Sequence, residues 1–347
     1  MTEEIEQKDI DNFLKIFGGH ILFQTLYAAV EFDLFTKLSE HKKLDISKIT
    51  KLLNIEKQPA RILMLGLVSS GILQRDTEGF YSNTPAAEMA LTTHSPRNVI
   101  SYVKLQYHVM YKGMFHFVEA LKTYKNVGLQ EFPGNEPTLY QRLGHTPEIK
   151  QIFQDAMHEL SIHANQDLAN HLDLSSTRFL IDVGGGDGTN IIELARKFSH
   201  LQAAVFDLPT VCPITAKKIN ESGLGDRLSA IPGNCFEDNF PKGADCFLFS
   251  HFCTIWSEAK NKLLFRKAYE ALPKGGKVVI FNMMQENDET GPLSTALGSP
   301  YFLTIATGEG MLYTWSEYEK WLSDSGFGEI KTFRLQQDHG AIIGTKL

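Results

Sequence analysis

The chain has 347 residues, 43% hydrophobic and 22% charged, the composition of soluble globular domains and enough length for about two of them. Collagen-like, disordered and disulfide-scaffold classes are excluded by that balance and by only four scattered cysteines. The net charge of −7 offers no basic excess, so no nucleic-acid surface is expected.

The start, Met1-Thr2-Glu3-Glu4-Ile5-Glu6, is acidic and lacks the basic opening and apolar run of a secretory signal. No stretch approaches the ~20 apolar residues of a membrane span. Cys212, Cys235, Cys246 and Cys253 form no CxxC pair and no zinc-spaced cluster with histidine. Reduced thiols in a cytoplasmic chain, and no metal, are the expectation.

From residue 9 to 38, Ile10, Phe13, Leu14, Phe17, Ile21, Leu22, Leu26, Val30, Leu34 and Leu38 recur at helical spacing. Gly18-Gly19 divides the run into two helices. The second is more apolar than one face requires, which fits either a core helix or a homodimer interface. Over residues 45–84, Asp45 or Ser47 caps a helix through Leu53, and a second helix runs from about Pro59 to Ser70. Ile72 to Arg75 and Phe80 to Ser82 follow as two short strands. Helix, helix, hairpin is a winged-helix pattern. Its second helix reads ARILMLGLVSS, where Arg61 is the one basic residue, so it is poorly equipped to read bases. Residues 97–170 read as helices around a loop at 132–137, rich in aromatics, His and Met.

From Phe179 onward, strand-length apolar runs alternate with helical patterns: FLIDV, AAVFDL, LSAI, DCFLFS and KVVIFNMM. Alternation of this kind predicts a parallel sheet covered on both faces, an α/β doubly wound domain. Ala341-Ile342-Ile343-Gly344 is the last strand candidate. The domain boundary is expected near Leu174-Ser175-Ser176-Thr177, which divides the chain into residues 1–96, 97–174 and 175–347.

Asp182-Val183-Gly184-Gly185-Gly186-Asp187-Gly188 follows the first strand and opens a helix. Glycines there let the backbone turn tightly and let a ligand approach the peptide plane. A Walker loop would need Gly-Lys-Ser/Thr, which is absent. Asp207 ends the second strand about 20 residues on, where an acid can accept both hydroxyls of a ribose. Dinucleotides and S-adenosyl compounds fit that spacing equally.

LIDVGGGDG, VFDLPTV, IPGNCF, Trp256-Ser257-Glu258 and ALPKGGKVVIFNMM stand in one order along the chain. In these motifs the sequence resembles the small-molecule O-methyltransferases related to hydroxyindole and caffeate O-methyltransferases, especially bacterial aromatic-polyketide tailoring enzymes. The resemblance spans nearly the whole chain. It implies a Rossmann-like domain binding S-adenosyl-L-methionine, released as S-adenosyl-L-homocysteine, behind a mostly helical dimerisation domain with a winged-helix part. It also implies a homodimer through the N-terminal helices and a small aromatic substrate. Carried over by position, Gly184 and Gly186 would face the methionine part of the cofactor. Asp207 would hold the ribose and Leu208 the adenine. Asn234, in the place of the family's usual Asp, would lie beside Cys235 and Phe236 at the adenine edge. Ser250 would lie near the carboxylate or sulfonium. Residues 97–174 would supply a substrate lid, including Phe153 and Met157, together with the segment Ser299 to Met311. Pro300, Tyr301 and Phe302 are wall candidates.

The chain departs from the family at the expected base. Many members carry His two residues before the Trp of the fourth-strand motif, and here that residue is Thr254. The acid that orients this His is replaced by Leu312. His251 and Glu309 each lie three residues earlier, so each is a catalytic candidate, and His251 could reach the pocket or contact the cofactor. His108, His158 and His163 are further candidates. A missing base also admits an acidic phenol that needs little help, or transfer to carbon or nitrogen, or retention of the cofactor without methylation. The rival classes are a winged-helix regulator and a nicotinamide-dependent oxidoreductase.

Overall fold

A computed structural model describes residues 7–347, apart from the side chains of Ile162 and His163. The acidic start and the side chain of His163 therefore lie outside the described residues. The chain divides into two compact units, Met1–Val109 with Gln151–Glu159, and Met110–Lys150 with Leu160–Leu347. Residues 97–174 are shared between them.

The first unit contains α1 (Gln7–Phe17), α2 (Gly19–Glu31), α3 (Leu34–His41), α4 (Ile46–Leu53), α5 (Lys57–Ser69), the hairpin β1 (Leu73–Arg75) and β2 (Tyr81–Asn83), α6 (Pro85–Leu91) and α7 (Ile100–Leu105). The break at Gly18 is where the glycine pair placed it. A second break was not expected: α2 ends before Asp33, whose φ of +51° stops the helix ahead of Leu34. Aspartate is among the few residues that tolerate the left-handed region. Asp45 caps α4 by accepting from the Lys48 amide at 2.9 Å. Leu34, Phe35, Leu38, Ile49, Met64 and Leu67 close the core of this unit. The other side of α5 exposes Ile62 and Leu65 at 63% and 70%. An apolar face of this kind suits protein contact and not base recognition.

The second unit contains α8 (Phe117–Thr123), α9 (Leu139–Arg142), the long α10 (Pro147–His171, partly in the first unit), β3 (Phe179–Val183), α11 (Thr189–Lys197), β4 (Gln202–Asp207), α12 (Cys212–Ser222), β5 (Leu228–Pro232), β6 (Cys246–Ser250), α13 (Glu258–Ala271), β7 (Lys277–Met283), α14 (Leu293–Tyr301), α15 (Trp315–Asp324), β8 (Phe327–Arg334) and β9 (His339–Lys346). A seven-stranded sheet runs in the order β5-β4-β3-β6-β7-β9-β8. The five strands from β5 to β7 are parallel, and β9 lies antiparallel between β7 and β8. Every residue of β6 is buried, as expected of a central parallel strand covered on both faces. Phe247, Phe249, Phe265, Tyr318 and Trp321 fill one side, and Leu180, Ile191, Leu248, Val279 and Phe281 the other.

Two features at the C-terminus differ from expectation. The last strand extends well beyond Ala341–Gly344, and β8 was not foreseen. FGEIKTFR turns most of its side chains to solvent at the sheet edge, so it lacks the apolar run that marks an interior strand. The order reverses on either side of β3. Such a switch point opens a crevice at the carboxyl ends of β3 and β6, the usual ligand position in these sheets.

Candidate active site

The glycine turn closes the end of β3. Gly184, Gly186 and Gly188 have φ of +70°, +58° and +85°, where a side chain is strained. Their surroundings differ. A Cβ on Gly184 would lie 2.3 Å from the ring of Phe252, whereas one on Gly186 would meet nothing within 4 Å. The open face of the turn is therefore at Gly186, and Gly184 is covered by Phe252. Asp207, at the end of β4, reaches this turn. Its Oδ2 accepts from the Gly186 amide at 3.0 Å and its Oδ1 from the Leu208 amide at 2.7 Å. Burial pushes this carboxyl above its ordinary value, against the pull of those two amides. Each oxygen keeps acceptor capacity, which suits a pair of hydroxyls.

Behind the turn, Asp182 is fully buried and accepts from Asn190 Nδ2 at 3.1 Å. Its Oδ1 has no partner among the described residues. Burial pushes its pKa up to about 7, with Asp207 and Asp187 adding to the rise. Asp187 behaves oppositely. Burial raises it, but hydrogen bonds from Lys218 and Thr189 win and hold it low. Lys218 was not anticipated, because it stands on α12, far along the chain from the turn.

Past β5, Asn234 Oδ1 accepts from the Phe236 amide at 3.1 Å, and its own amide donates to Asp238. Phe236 meets Trp256 edge to face, with ring centroids 4.7 Å apart. Lys260 lies over both rings, at 5.3 and 4.6 Å from their centroids. Burial drives the Cys235 thiol up to about 12, so it is no nucleophile at neutral pH. Leu208 is 40% exposed, an apolar surface beside Asp207.

At the end of β6, Ser250 is buried and His251 is half-buried with φ +51°. Ser250 Oγ lies 3.3 Å from His251 Nδ1, and His251 Nε2 lies 3.0 Å from His339 Nε2. Burial, together with His339, pushes the His251 pKa down to about 3. Glu309 instead pairs with Lys260 at 2.7 Å. His251 thus takes His339 as partner, and Glu309 takes Lys260. Thr254 is buried in a short 3-10 turn, and Leu312 is buried as well. A Cβ on Gly310 would fall 2.1 Å from the Thr254 carbonyl oxygen, so the Gly310 backbone packs directly on this turn.

Tyr301 donates to the Tyr140 hydroxyl at 3.5 Å and meets Phe302 edge to face. Burial drives Tyr140 up to about 12, so it stays a phenol. His108, Phe153 and Met157 belong to the first unit, unlike every residue above. There, His108 Nε2 lies 3.0 Å from the Tyr27 hydroxyl. No group of three or more potential metal ligands occurs among the described residues.

The O-methyltransferase domain family matches residues 119–328, and the O-methyltransferase dimerisation domain matches residues 14–93. The L-tyrosine C(3)-methyltransferase of Streptomyces lavendulae is 38% identical, over 97% of this chain and 93% of that one. The 3-hydroxy-5-methyl-1-naphthoate 3-O-methyltransferase of Streptomyces sahachiroi is 32% identical, over 93% of this chain and 91% of that one. The solved structure of the S-adenosylmethionine-dependent methyltransferase SibL, in its apo form, is 33% identical with a TM-score of 0.86, over 96% of this chain and 98% of that one.

The chain belongs to the O-methyltransferase family. It is an S-adenosylmethionine-dependent methyltransferase with a dimerisation domain ahead of its catalytic domain, and the regulator and oxidoreductase readings fall away. The methyltransferase also carries site features that sequence reasoning missed. Phe252 and Lys218 brace the glycine turn, and His339 partners His251. Phe252 stands in the fourth-strand motif already under scrutiny and was within reach. His339 carries no signal in the sequence, because the apolar run of its strand begins at Ala341.

Proposed function

We propose that this methyltransferase moves a methyl group from S-adenosylmethionine to a phenolic hydroxyl of a small aromatic natural product. The observation that carries the reading is the open face at Gly186, beside a carboxylate able to take two hydroxyls. Asp207 holds the ribose there, and Leu208 lies against the adenine. Asn234, Cys235 and Phe236 border the adenine edge, and Trp256 closes the aromatic floor. Gly186 and Ser250 face the methionine portion. The bound donor supplies an electrophilic methyl on a sulfonium. The protein's part is to hold an oxygen in line with that methyl, to keep water out and to take the proton. Tyr301 and Phe302 give the acceptor side an aromatic wall.

The test is incubation with S-adenosylmethionine and a panel of phenols, read by mass spectrometry for the gain of one methylene. No gain with any phenol would sink the acceptor assignment. A second reading, transfer to the ring carbon beside the hydroxyl, is favoured by Thr254 and Leu312 at the family's base positions and by the tyrosine C(3)-methyltransferase relative. The product decides between them. A C-methylated phenol still titrates in alkali, whereas an O-methylated one does not. The working assembly is a cytoplasmic homodimer, supported by Phe13, Leu14, Ile16 and Phe17 on α1, exposed at 54–82%.

A further inference from the structure

His339 fixes the protons of its neighbours. Its Nδ1 lies 3.0 Å from the Gln337 carbonyl oxygen, which can only accept, so Nδ1 carries the hydrogen. A neutral His339 then has a bare Nε2. His251 Nε2, 3.0 Å away, must donate to it, and this leaves His251 Nδ1 bare toward the Ser250 hydroxyl at 3.3 Å. One backbone carbonyl thus orients a chain of hydrogen bonds from the crevice end of β6 to the start of β9. The groups around its inner end are acidic. Asp338 precedes His339, and Asp167 on α10 accepts from the Gln336 amide at 2.7 Å. Burial holds the His339 pKa below its ordinary value, and the Gln337 and Gln336 backbone, then Asp167 and Asp338, pull toward the charged form. From β7 the neighbours are Met283, its strand partner, and the ring of Phe281, neither of them titratable. Among the described residues, the His251 ring meets the Ser250 hydroxyl, His339 and the edge of Phe281.

We propose that Ser250, His251 and His339 form a directed proton relay that stands in for the family's missing base, with His339 as the positioning residue that sets its direction. The proposal rests on the phenolic acceptor argued above. As the acceptor O–H bond breaks, its proton passes to Ser250 Oγ, and the Ser250 proton passes to His251 Nδ1. The His251 Nε2 proton passes to His339 Nε2, which becomes an imidazolium between Gln337 O, Asp167 and Asp338. The new bond to the methyl forms as its bond to sulfur breaks, and that electron pair stays on sulfur. After product leaves, the path runs backward into water and the starting tautomers return. Burial makes His251 a poor resting place for charge, so it hands the proton on.

Nitrogen-15 NMR of histidine-labelled protein, assigned with His251→Asn and His339→Gln, reads the tautomers directly and needs no substrate. The expected result is His251 protonated at Nε2 and His339 at Nδ1; either one in the other tautomer overturns the relay. The kinetic arm uses His339→Gln, whose side chain can accept a hydrogen bond but cannot take a proton. Against an alkylphenol, turnover should fall by about 100-fold, while in mildly alkaline buffer para-nitrophenol, already largely ionised, should lose less than about 2-fold. Donor affinity by calorimetry should be unchanged. Equal losses with both phenols would also overturn the relay. If the wild type methylates no phenol at all, the acceptor reading fails and the tautomers alone decide the wiring.

Discussion

The two sides of the crevice are built on different principles. On the donor side, neighbours in sequence hold each other. The glycine turn, Asp182 and Asp187 lie within one strand-turn-helix unit, and Asp207 ties that unit to the next strand through the Gly186 amide. On the acceptor side the working polar contacts join distant segments: Glu309 with Lys260, Tyr301 with Tyr140, His339 with His251. Backbone geometry can specify a cofactor site because the cofactor is constant across a family. An acceptor site has to vary with its substrate, and side chains from separate loops can change without disturbing the sheet. If that contrast is right, substitutions on the donor side should have the largest effects, and those at Thr254 and Glu309 the smallest.

The largest effect is expected at Asp182, and it depends on pH. Its folded pKa is raised to about 7, while in the unfolded chain it ionises in the ordinary carboxylate range. Between those values the native state holds the extra proton, so stability falls as pH rises and levels off above the folded pKa. Asp182→Asn removes that dependence. Relative to wild type, the variant should gain up to about 4 kcal/mol between mildly acidic and neutral pH. Urea denaturation at a series of pH values measures it; parallel curves for the two proteins would mean that Asp182 is ionised in the fold.

Next comes Asp207→Ala. It strips the Gly186 and Leu208 amides of their acceptor and takes away the proposed ribose contact. Two charge-assisted hydrogen bonds at ~1.5–3 kcal/mol each imply at least about a 100-fold loss of S-adenosylmethionine affinity by calorimetry. Unchanged affinity would move the cofactor out of this turn.

The same contrast explains what could be read before any coordinates. Strand-length apolar runs, the glycine turn and the acid at the end of β4 are local signals, each imposed by the backbone geometry of its own segment. The break at Asp33 was hidden because apolar spacing continues unbroken through a left-handed residue. The pairing of His251 was hidden for a different reason. His339 is 88 residues away and reaches β7 through an antiparallel strand whose start carries no apolar pattern. A three-residue offset from Leu312, the family's acid position, made Glu309 a candidate. Lys260, over the Phe236 and Trp256 rings, is what captures it.

On the acceptor side, outside the histidine relay, the expected effects shrink. Thr254 occupies the family's base position, but no histidine or carboxylate is hydrogen-bonded to it among the described residues. Thr254→Ala should reduce turnover by no more than about 3-fold and stability by ~1 kcal/mol, the ordinary size for losing a small buried side chain. Steady-state kinetics with chemical denaturation separates the two quantities. A 100-fold fall in turnover at unchanged stability would return the base to its family position and remove the need for the histidine relay.

The smallest effect is expected at Glu309. Its carboxylate lies 2.7 Å from Lys260, but both side chains are about one-third exposed, 34% and 36%, so solvent screens the pair. Exposed pairs of this kind contribute ~0.2–1 kcal/mol at best. Glu309→Gln keeps the shape and a hydrogen-bond acceptor for Lys260, so turnover should stay within about 2-fold and the urea midpoint should barely move. The measurement matters because Glu309 is the acidic candidate three residues before Leu312, where the family carries its acid. If Glu309→Gln lowered turnover 100-fold with stability intact, the carboxylate would be working on the substrate and not on Lys260. The acceptor side would then carry a charged anchor as strong as Asp207, and the division between a backbone-built donor side and a tolerant acceptor side would no longer hold.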